Sequence, residues 1–532
     1  MGSPITEKDK EYEAMEMKNA PGADQKLSER VKNRTLRPQG QTFKEFMTAN
    51  WDNNEPETEP LESSEYIPAR LRALGKRFPG ERLIIPAGQP KVRNNDDDYA
   101  FRPDTTFTYY TGLGKDYEAG AVLVLEPVDP QGPSAAPGDT HTPELYVAPR
   151  SDNSTEAYYQ DDHYGEYWVG PRAGLKELKA MTGIDTYDIA MLPQALAKPT
   201  PGTDGGTGGA SLRIIRDADP DVTALVDAVR TMRGADTQMQ DEALPADGTL
   251  REFTSEARMI KDDFEINEMR KAVAATKDGF DRILTRLPNV LDKPRSERML
   301  EAEFTGVARE EGNAVGYDTI VASGEHAPIL HWMRNTGTVG TGELLLIDAG
   351  VELDSLYTAD ITRTFPTDGK FTDLQKKVYQ AVLDAQQAGF EAACVGATYS
   401  DIHHACMRSI AQTLHDWDIL PVSVEESLAP TGQQHRRWLA CGVAHHLGLD
   451  VHDCAQARYE SYHGGAIRPG MIFTIEPGLY FAKNDLLLPT ELRGIGVRIE
   501  DDVLMTENGP EWISAGIPKE IDDVERWMAS LR

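Results

Sequence analysis

In the first half of the chain, apolar positions come in short runs separated by turn residues. RLIIPA (82–87), AVLVLEP (121–127) and ELYVAPR (144–150) read as strands of a mixed α/β region spanning 41–250. Two low-complexity stretches interrupt it. EPVDPQGPSAAPGDTHTPE (126–144) lies between two strands and reads as a long hairpin insertion, while AKPTPGTDGGTGGA (197–210) reads as a mobile surface loop. Near residue 250 the period changes. In SEARMIKDDFEINEMRKAVAATKDGFDRILTRL (255–287), Ile266, Met269, Val273, Phe280, Ile283 and Leu284 recur on one face of an amphipathic helix with an acidic first turn, which is expected to open a second domain, 251–532. Beyond it, helices alternate with strand pairs. FTDLQKKVYQAVLDAQQAGF (371–390) starts with a capping-box pattern at Thr372 and Gln375, and YSDIHHACMRSIAQTL (399–414) has Ser400 as its expected N-cap. The strands expected here are ELLLID (343–348), TADITRTF (358–365), MIFTIEPGLY (471–480) and GVRIEDDVLM (496–505). Residues 1–40 are polar and charged, suggesting a flexible arm.

Composition narrows the class. A chain of 532 residues exceeds the size at which one core stops growing, so two or more domains are expected, and 39% hydrophobic content can fill their cores. Lysine and arginine total 55 against 87 acidic residues, a formal net charge of −32, which argues against nucleic acid and anionic membranes as partners. Cys394, Cys406, Cys441 and Cys454 lack CxxC spacing in a chain too large to depend on disulfides, and this fits a reducing compartment. No apolar run approaches the ~18 residues of a membrane span, and the N-terminal segment MGSPITEKDKEYEAMEMKNA has no apolar secretory core. MGSPIT matches the loose myristoylation pattern, but nothing polybasic follows to supply a second anchor, so the reading is a disordered acidic tail. A soluble cytoplasmic protein is expected.

The chemistry concentrates in the four C-terminal strands, each of which carries an acid among apolar neighbours: Asp348, Asp360, Glu476 and Glu500. Singly, each has a structural explanation, since Asp348 before Ala-Gly can cap a turn and Glu476 before Pro can end a strand. Together they are harder to explain that way. Buried carboxylates cost several kcal/mol unless compensated, and like charges sharing an interior repel, so a cation is called for. CGVAHHLGLDVHD (441–453) contributes His445, His446 and His452, and APILHWMRN (327–335) adds His331. A histidine in such a segment is more often packed or exposed than a ligand, and His403 and His404 keep that ordinary reading. Four carboxylates with one imidazole would make an oxygen-rich, five-ligand site suited to Mn²⁺ or Co²⁺. With so many carboxylates some can bridge, so two ions ~3.5–4 Å apart, holding a hydroxide between them, are the natural arrangement.

The motifs LLIDAG (345–350), ADITRTFP (359–366), HHLGLDVHD (445–453), TIEPGLY (474–480) and GVRIEDD (496–502), in this order, closely resemble the aminopeptidase P branch of the pita-bread metallopeptidases, whose other members include prolidase, methionine aminopeptidase and creatinase. The similarity covers 255–510. NNDDDYAFRPDTTFTYYTGL (94–113) and YGEYWVGPRAGL (164–175) look like the N-terminal domain of bacterial aminopeptidase P. The resemblance implies a two-domain α/β architecture, a creatinase/aminopeptidase P-type α/β domain followed by a pita-bread (α+β) catalytic domain. It implies two divalent ions, Mn²⁺ by expectation, with Asp348 a bidentate ligand of one, Asp360 and Glu500 bridging, and His445 and Glu476 completing the other. By the same resemblance a bridging hydroxide attacks the scissile carbonyl and Glu476 takes its proton. His331 and His452 bond the substrate carbonyl and the gem-diolate, Arg498 orients the bridging acid, Tyr480 lines the site, and Trp168 reaches a neighbouring subunit's active site.

The implied reaction is release of an N-terminal residue ahead of proline, by a homodimer or homotetramer. A proline imide has no N–H, so a site that fixes the free amine and polarises the carbonyl with metals suits it. Prolidase, which takes dipeptides, is the alternative, and a metal-free binding module on the same fold a remote one; the five ligands speak against the latter and against creatinase. Two departures from the family pattern bear on the proline pocket: Cys441 stands where a histidine is usual, and His446 where tryptophan is frequent. Asp354, between the two aspartates, reads as a solvated turn residue.

Overall fold

Two inner strands of the N-terminal sheet form on the apolar runs RLIIP and VLVLEP. The computed structural model describes residues 40–52, 58–95, 97–115, 119–128, 139–199, 212–233 and 237–531. The expected arm at 1–40, but for its last residue, the MGSPIT pattern and the tips of both low-complexity stretches lie outside them. Strands β1 (Arg82–Pro86), β2 (Val122–Pro127), β3 (His141–Val147), β4 (Asp185–Asp188) and β5 (Leu212–Ile214) make one mixed sheet in the order β4-β3-β2-β1-β5. β2 and β3 run antiparallel from Val122↔Tyr146 to Pro127↔His141, the hairpin expected across the first low-complexity stretch. The flanking strands β5 and β4 join in parallel. Ile84, Val124 and Ile214 from the sheet pack with Leu196 and Val226 from helices Leu192–Ala197 and Pro220–Met232.

The chain divides into two units, Met1–Ala243 and Leu244–Arg532. In the second, helix α1 (Asp263–Arg286) buries Met269, Val273, Phe280, Ile283 and Leu284 on the face the period indicates. Its start corrects the expectation, because residues 255–257 belong to the preceding helix, Thr237–Ala257. A capping box decides the boundary: the Glu265 N–H donates to Asp262 Oδ1 (3.1 Å) and the Asp262 N–H to Glu265 Oε2 (3.0 Å). Next come helix α2 (Ser296–Glu311), strands β6 (Ala314–Val315), β7 (Ile320–Ser323), β8 (Leu344–Ala349), β9 (Val351–Glu352) and β10 (Ile361–Pro366), and helices α3 (Asp373–Ala392) and α4 (Tyr399–Asp416). Thr372 and Gln375 cap α3 reciprocally, as expected. Ser400 does not cap α4. The cap is Thr398, two residues earlier, with its N–H and hydroxyl both on Asp401 Oδ2 (2.8 Å each), and the Ser400 hydroxyl donates instead to the His463 carbonyl (3.1 Å).

Two of the expected strands are broken in the middle. MIFTIEPGLY forms β11 (Ile472–Ile475) and β12 (Gly478–Phe481), and GVRIEDDVLM forms β13 (Ile495–Arg498) and β14 (Asp501–Thr506), followed by β15 (Gly509–Trp512). The breaks lie opposite one another. β11 pairs with β14 up to Ile475↔Asp501, and β12 pairs with β13 from Gly478↔Arg498. Pro477, which has no N–H to give, sits in the gap beside Glu476, and Glu500 stands opposite Glu476 on the other side of the ribbon. β8 pairs with both β7 and β10, and an isolated bridge, Thr362↔Glu500, joins β10 to the broken ribbon.

Candidate metal centre and active site

Asp348 stands near the end of β8, opposite Thr362 and Ile320. Two residues on, Gly350 lets the returning chain come very close: a Cβ there would lie 1.8 Å from the Ala359 carbonyl oxygen and 3.1 Å from the Tyr317 ring. That approach brings Asp360 beside Asp348. The Tyr317 hydroxyl lies between them, 2.7 Å from Asp348 Oδ1 and 2.5 Å from Asp360 Oδ1. Glu500 is tied to β10 twice, by its N–H to the Thr362 carbonyl (3.1 Å) and by the Thr362 hydroxyl to Oε2 (2.6 Å). The segment bearing His445 runs alongside β11, with the His445 N–H on Thr474 Oγ1 (3.1 Å) and the Glu476 N–H on the Val443 carbonyl (2.9 Å).

These anchors aim the side chains at one point. His445 Nε2 lies 3.3 Å from Asp360 Oδ2, 3.7 Å from Glu476 Oε1 and 4.0 Å from Glu500 Oε1. Its Nδ1 is 3.1 Å from the His446 carbonyl, which makes Nδ1 a donor there and aims Nε2 at the acids as the atom that would bind a metal on losing its proton. Ligand atoms of Asp360, His445 and Glu500 all fall within 4.8 Å of one another. Arg498 meets Asp348 Oδ2 (2.5 Å), the Thr362 hydroxyl (3.0 Å) and the Tyr480 hydroxyl (3.0 Å). Its direct carboxylate partner is therefore Asp348; it reaches Glu500 only through Thr362.

The electrostatics are those of a site that is short of cations. Burial, with the charges of Asp360, Glu476 and Asp348, holds Glu500 well above the carboxylate range. Burial also pushes Glu476 up to about 7 against the pull of His445, and raises Asp348 against the pull of Arg498. For His445, burial lowers the pKa, but the hydrogen bond to Asp360 and the charges of Glu476 and Asp360 outweigh it and lift the ring to about 9. Protons thus supply positive charge that divalent ions would otherwise provide. Carboxylate oxygens with a single imidazole nitrogen are a donor set that fits hard or borderline divalent ions.

The centre opens onto a cavity of about 460 Å³. Asp348, Asp360, His445, Glu476, Glu500, His331, His452, Arg498 and Tyr480 all line it, so nine of the ten residues singled out from the sequence meet in one place. The tenth, Trp168, lies in the N-terminal unit on the short helix Glu166–Val169, 47% exposed, with its indole N–H on the Tyr159 carbonyl (2.7 Å). Cys441 also lines the cavity, whereas His446 is buried, stacked on Tyr399 with ring centroids 5.0 Å apart. His446 is therefore not part of the pocket wall. Asp354 is exposed in its turn, as read from the sequence. Tyr317 and Thr362 were missed. Thr362 had a signal, since alternate residues Asp360, Thr362 and Thr364 share one strand face; Tyr317 had none.

Fold and site together define a metallopeptidase scaffold, and comparison with known proteins agrees. The sequence model of metallopeptidase family M24 matches residues 267–507, and that of the aminopeptidase P N-terminal domain matches 67–204. The chain is 44% identical over 492 residues to Xaa-Pro aminopeptidase 1 of Streptomyces coelicolor, covering 92% of each, and 31% identical over 472 residues to Xaa-Pro aminopeptidase of Escherichia coli, covering 88% of this chain and 99% of that one. Among solved structures, aminopeptidase PepP of Pseudomonas aeruginosa superposes with a TM-score of 0.72 at 29% identity, covering 88% of this chain and 98% of that one. Zinc-substituted E. coli aminopeptidase P in complex with product gives 0.72 at 28%, covering 89% and 99%. The chain belongs to the Xaa-Pro aminopeptidases, a family of metal-dependent exopeptidases. The resemblance and the two-domain architecture expected from the sequence stand, and prolidase is not favoured.

Proposed function

We propose that this protein releases the N-terminal residue from peptides with proline in second position, using two divalent ions, Mn²⁺ by preference, held by Asp348, Asp360, His445, Glu476 and Glu500. The observation that carries the reading is the convergence of these five side chains, drawn from segments up to 152 positions apart in sequence, on one cavity wall. When bound, such ions would neutralise the acids and make a water between them acidic enough to ionise near neutral pH. The chain's own residues do the rest. Glu476, on the cavity wall 3.7 Å from His445 Nε2, takes the proton that a water gives up on attacking the scissile carbonyl and passes it to the imide nitrogen as the C–N bond breaks. His331 and His452 face the same cavity and donate to the substrate carbonyl as charge develops on it. Burial and the neighbouring His445 lower His452, which keeps its ring neutral and able to donate from a single N–H.

Arg498, Tyr317 and Thr362 hold the acids in place. Trp168, exposed on the N-terminal unit, is available to a neighbouring subunit in a homodimer or homotetramer. A cytoplasmic location is supported by the free thiols of Cys394, Cys406, Cys441 and Cys454. Among the described residues no helix is long and apolar enough to cross a membrane.

The test is to strip metal with chelator, restore Mn²⁺ or Co²⁺ separately, and assay Xaa-Pro-Yaa tripeptides beside Xaa-Pro dipeptides. Tripeptide cleavage should vanish on stripping and return best with Mn²⁺. Full activity without metal would refute the reading, and cleavage of dipeptides alone would return it to prolidase.

A further inference from the structure

Helix α2 begins with a carboxylate that has no contact with solvent. Glu297 is fully buried, in the first turn of the helix, where the N-terminal dipole favours negative charge. Four donors converge on it: the Ser323 N–H (3.0 Å) and His326 Nδ1 (2.7 Å) on Oε1, the Trp332 indole N–H (2.8 Å) and the Gly337 N–H (2.5 Å) on Oε2. All four belong to one segment, 323–337. It leaves the end of β7, the strand that pairs with Asp348, and carries His331 to the cavity wall.

The arrangement is a clamp closed at both ends. Ser323 and Gly337 are the two legs of the loop, and His326 and Trp332 are stacked on each other inside it, ring centroids 3.9 Å apart and 23° from parallel. Trp332 is the residue next to His331, so the carboxylate grips the chain one peptide from the imidazole. The returning leg is held again by Asn335, which accepts from the Val321 N–H (3.0 Å) and donates to the Thr319 carbonyl (2.8 Å). Glu297 itself does not line the cavity. A fully buried carboxylate satisfied entirely by one loop is an expensive way to hold a surface turn, and cheaper apolar packing would serve if position did not matter.

We propose that Glu297 is the positioning residue for His331, fixing the loop so that the imidazole stands where the substrate carbonyl will be. The inference rests on the role given to His331 above. A glutamine at 297 keeps the shape but only one acceptor oxygen, and turns an NH₂ toward two of the donors. Misplacement of a catalytic group by about 1 Å costs on the order of a hundredfold, so Glu297→Gln should lower kcat on an Xaa-Pro-Yaa peptide by roughly tenfold to a hundredfold. KM should stay within a few-fold and metal content close to wild type, while the two buried donors left facing an NH₂ should lower the unfolding midpoint of the metal-loaded enzyme.

The decisive measurement is a double-mutant cycle with His331→Ala. In the His331→Ala background, Glu297→Gln should cost less than about twofold, because there is no imidazole left to position. Multiplicative losses would overturn the proposal, as would Glu297→Gln at wild-type kcat beside a slow His331→Ala. Normal turnover by His331→Ala alone would instead show that the role of His331 is wrong, and the proposal falls with it. Should Glu297→Gln fail to fold, Trp332→Phe removes a single donor and takes its place: a several-fold loss in kcat that disappears without His331 supports the clamp, and one that persists refutes it.

Discussion

Replacing Glu476 with glutamine should stabilise the metal-free protein while abolishing turnover. Glu476 Oε1 is 3.7 Å from His445 Nε2, and burial with the charge of Asp360 lifts its carboxyl from 4.5 to about 7. A folded-state value above the unfolded one means that the folded chain carries the extra proton between these two pH values. The stability this contributes is fully present below 4.5 and is lost as pH rises through about 7. At ~1.4 kcal/mol per pH unit, the ionised side chain costs the metal-free fold roughly 3 kcal/mol at pH 8 and about 1 kcal/mol at pH 5. His445 faces Glu476 and titrates with it, so only the one step is counted. Glutamine keeps the shape without the charge. In equilibrium urea unfolding of chelator-treated protein, Glu476→Gln should therefore exceed wild type by roughly 3 kcal/mol at pH 8, and by about 1 kcal/mol at pH 5. Saturating Mn²⁺ should narrow the gap, because an ion at a hundredfold its dissociation constant adds about 2.7 kcal/mol to the protein that still binds it. A wild type more stable than the variant at pH 8 without metal, or a gap independent of pH, would refute the claim that burial makes ionisation of this carboxyl costly.

Other substitutions test the scaffold. Gly350→Ala places a Cβ 1.8 Å from the Ala359 carbonyl oxygen, so it should cost about 3 kcal/mol or more in urea unfolding and weaken Mn²⁺ binding by titration, since Asp348 and Asp360 are forced apart. Arg363 is fully buried and donates to the carbonyls of Thr362, Glu500, Ile517 and Pro518 and to Asp501 Oδ1 (2.7 Å), so Arg363→Met should destabilise by about 3–5 kcal/mol, read as a lowered urea midpoint. Thr398→Ala should cost about 1 kcal/mol and Ser400→Ala roughly half that, which thermal unfolding of the two variants decides.

How far the sequence could be read depended on whether the signal was local. An acid inside an apolar run is visible in a window of a few residues, and so Asp348, Asp360, Glu476 and Glu500 were found before any geometry. The Thr398 cap was also locally legible, because Thr398 and Asp401 have capping-box spacing; a neighbouring serine drew attention from it. Tyr317 and Glu297 were beyond reach. Each acts on residues that a loop or a sheet brings near, 26 to 43 positions away, and nothing in their own surroundings differs from an ordinary tyrosine or a first-turn glutamate. The break at Glu476 had a local signal, since an acid before proline can end a strand, whereas GVRIEDDVLM has strand composition throughout and only pairing shows that its ladder stops at Glu500.

The ladders explain why the acids stand where they do. In an antiparallel ladder, residues directly opposite one another share a face, as do alternate residues along one strand. The β11–β12 and β13–β14 ribbon keeps its register from Ile475↔Asp501 to Gly478↔Arg498, so Glu476 and Glu500 stand opposite each other in the gap between the two ladders. In the β8–β10 hairpin, Asp360 comes just before the last pair, Ala349↔Ile361, and Gly350 admits the Ala359 carbonyl beside it. The Thr362↔Glu500 bridge joins hairpin and ribbon, and His445 enters along β11 to face the acids. The site thus depends on two ladders held in contact, and Gly350 and Thr362, which carry no charge, are what let them meet.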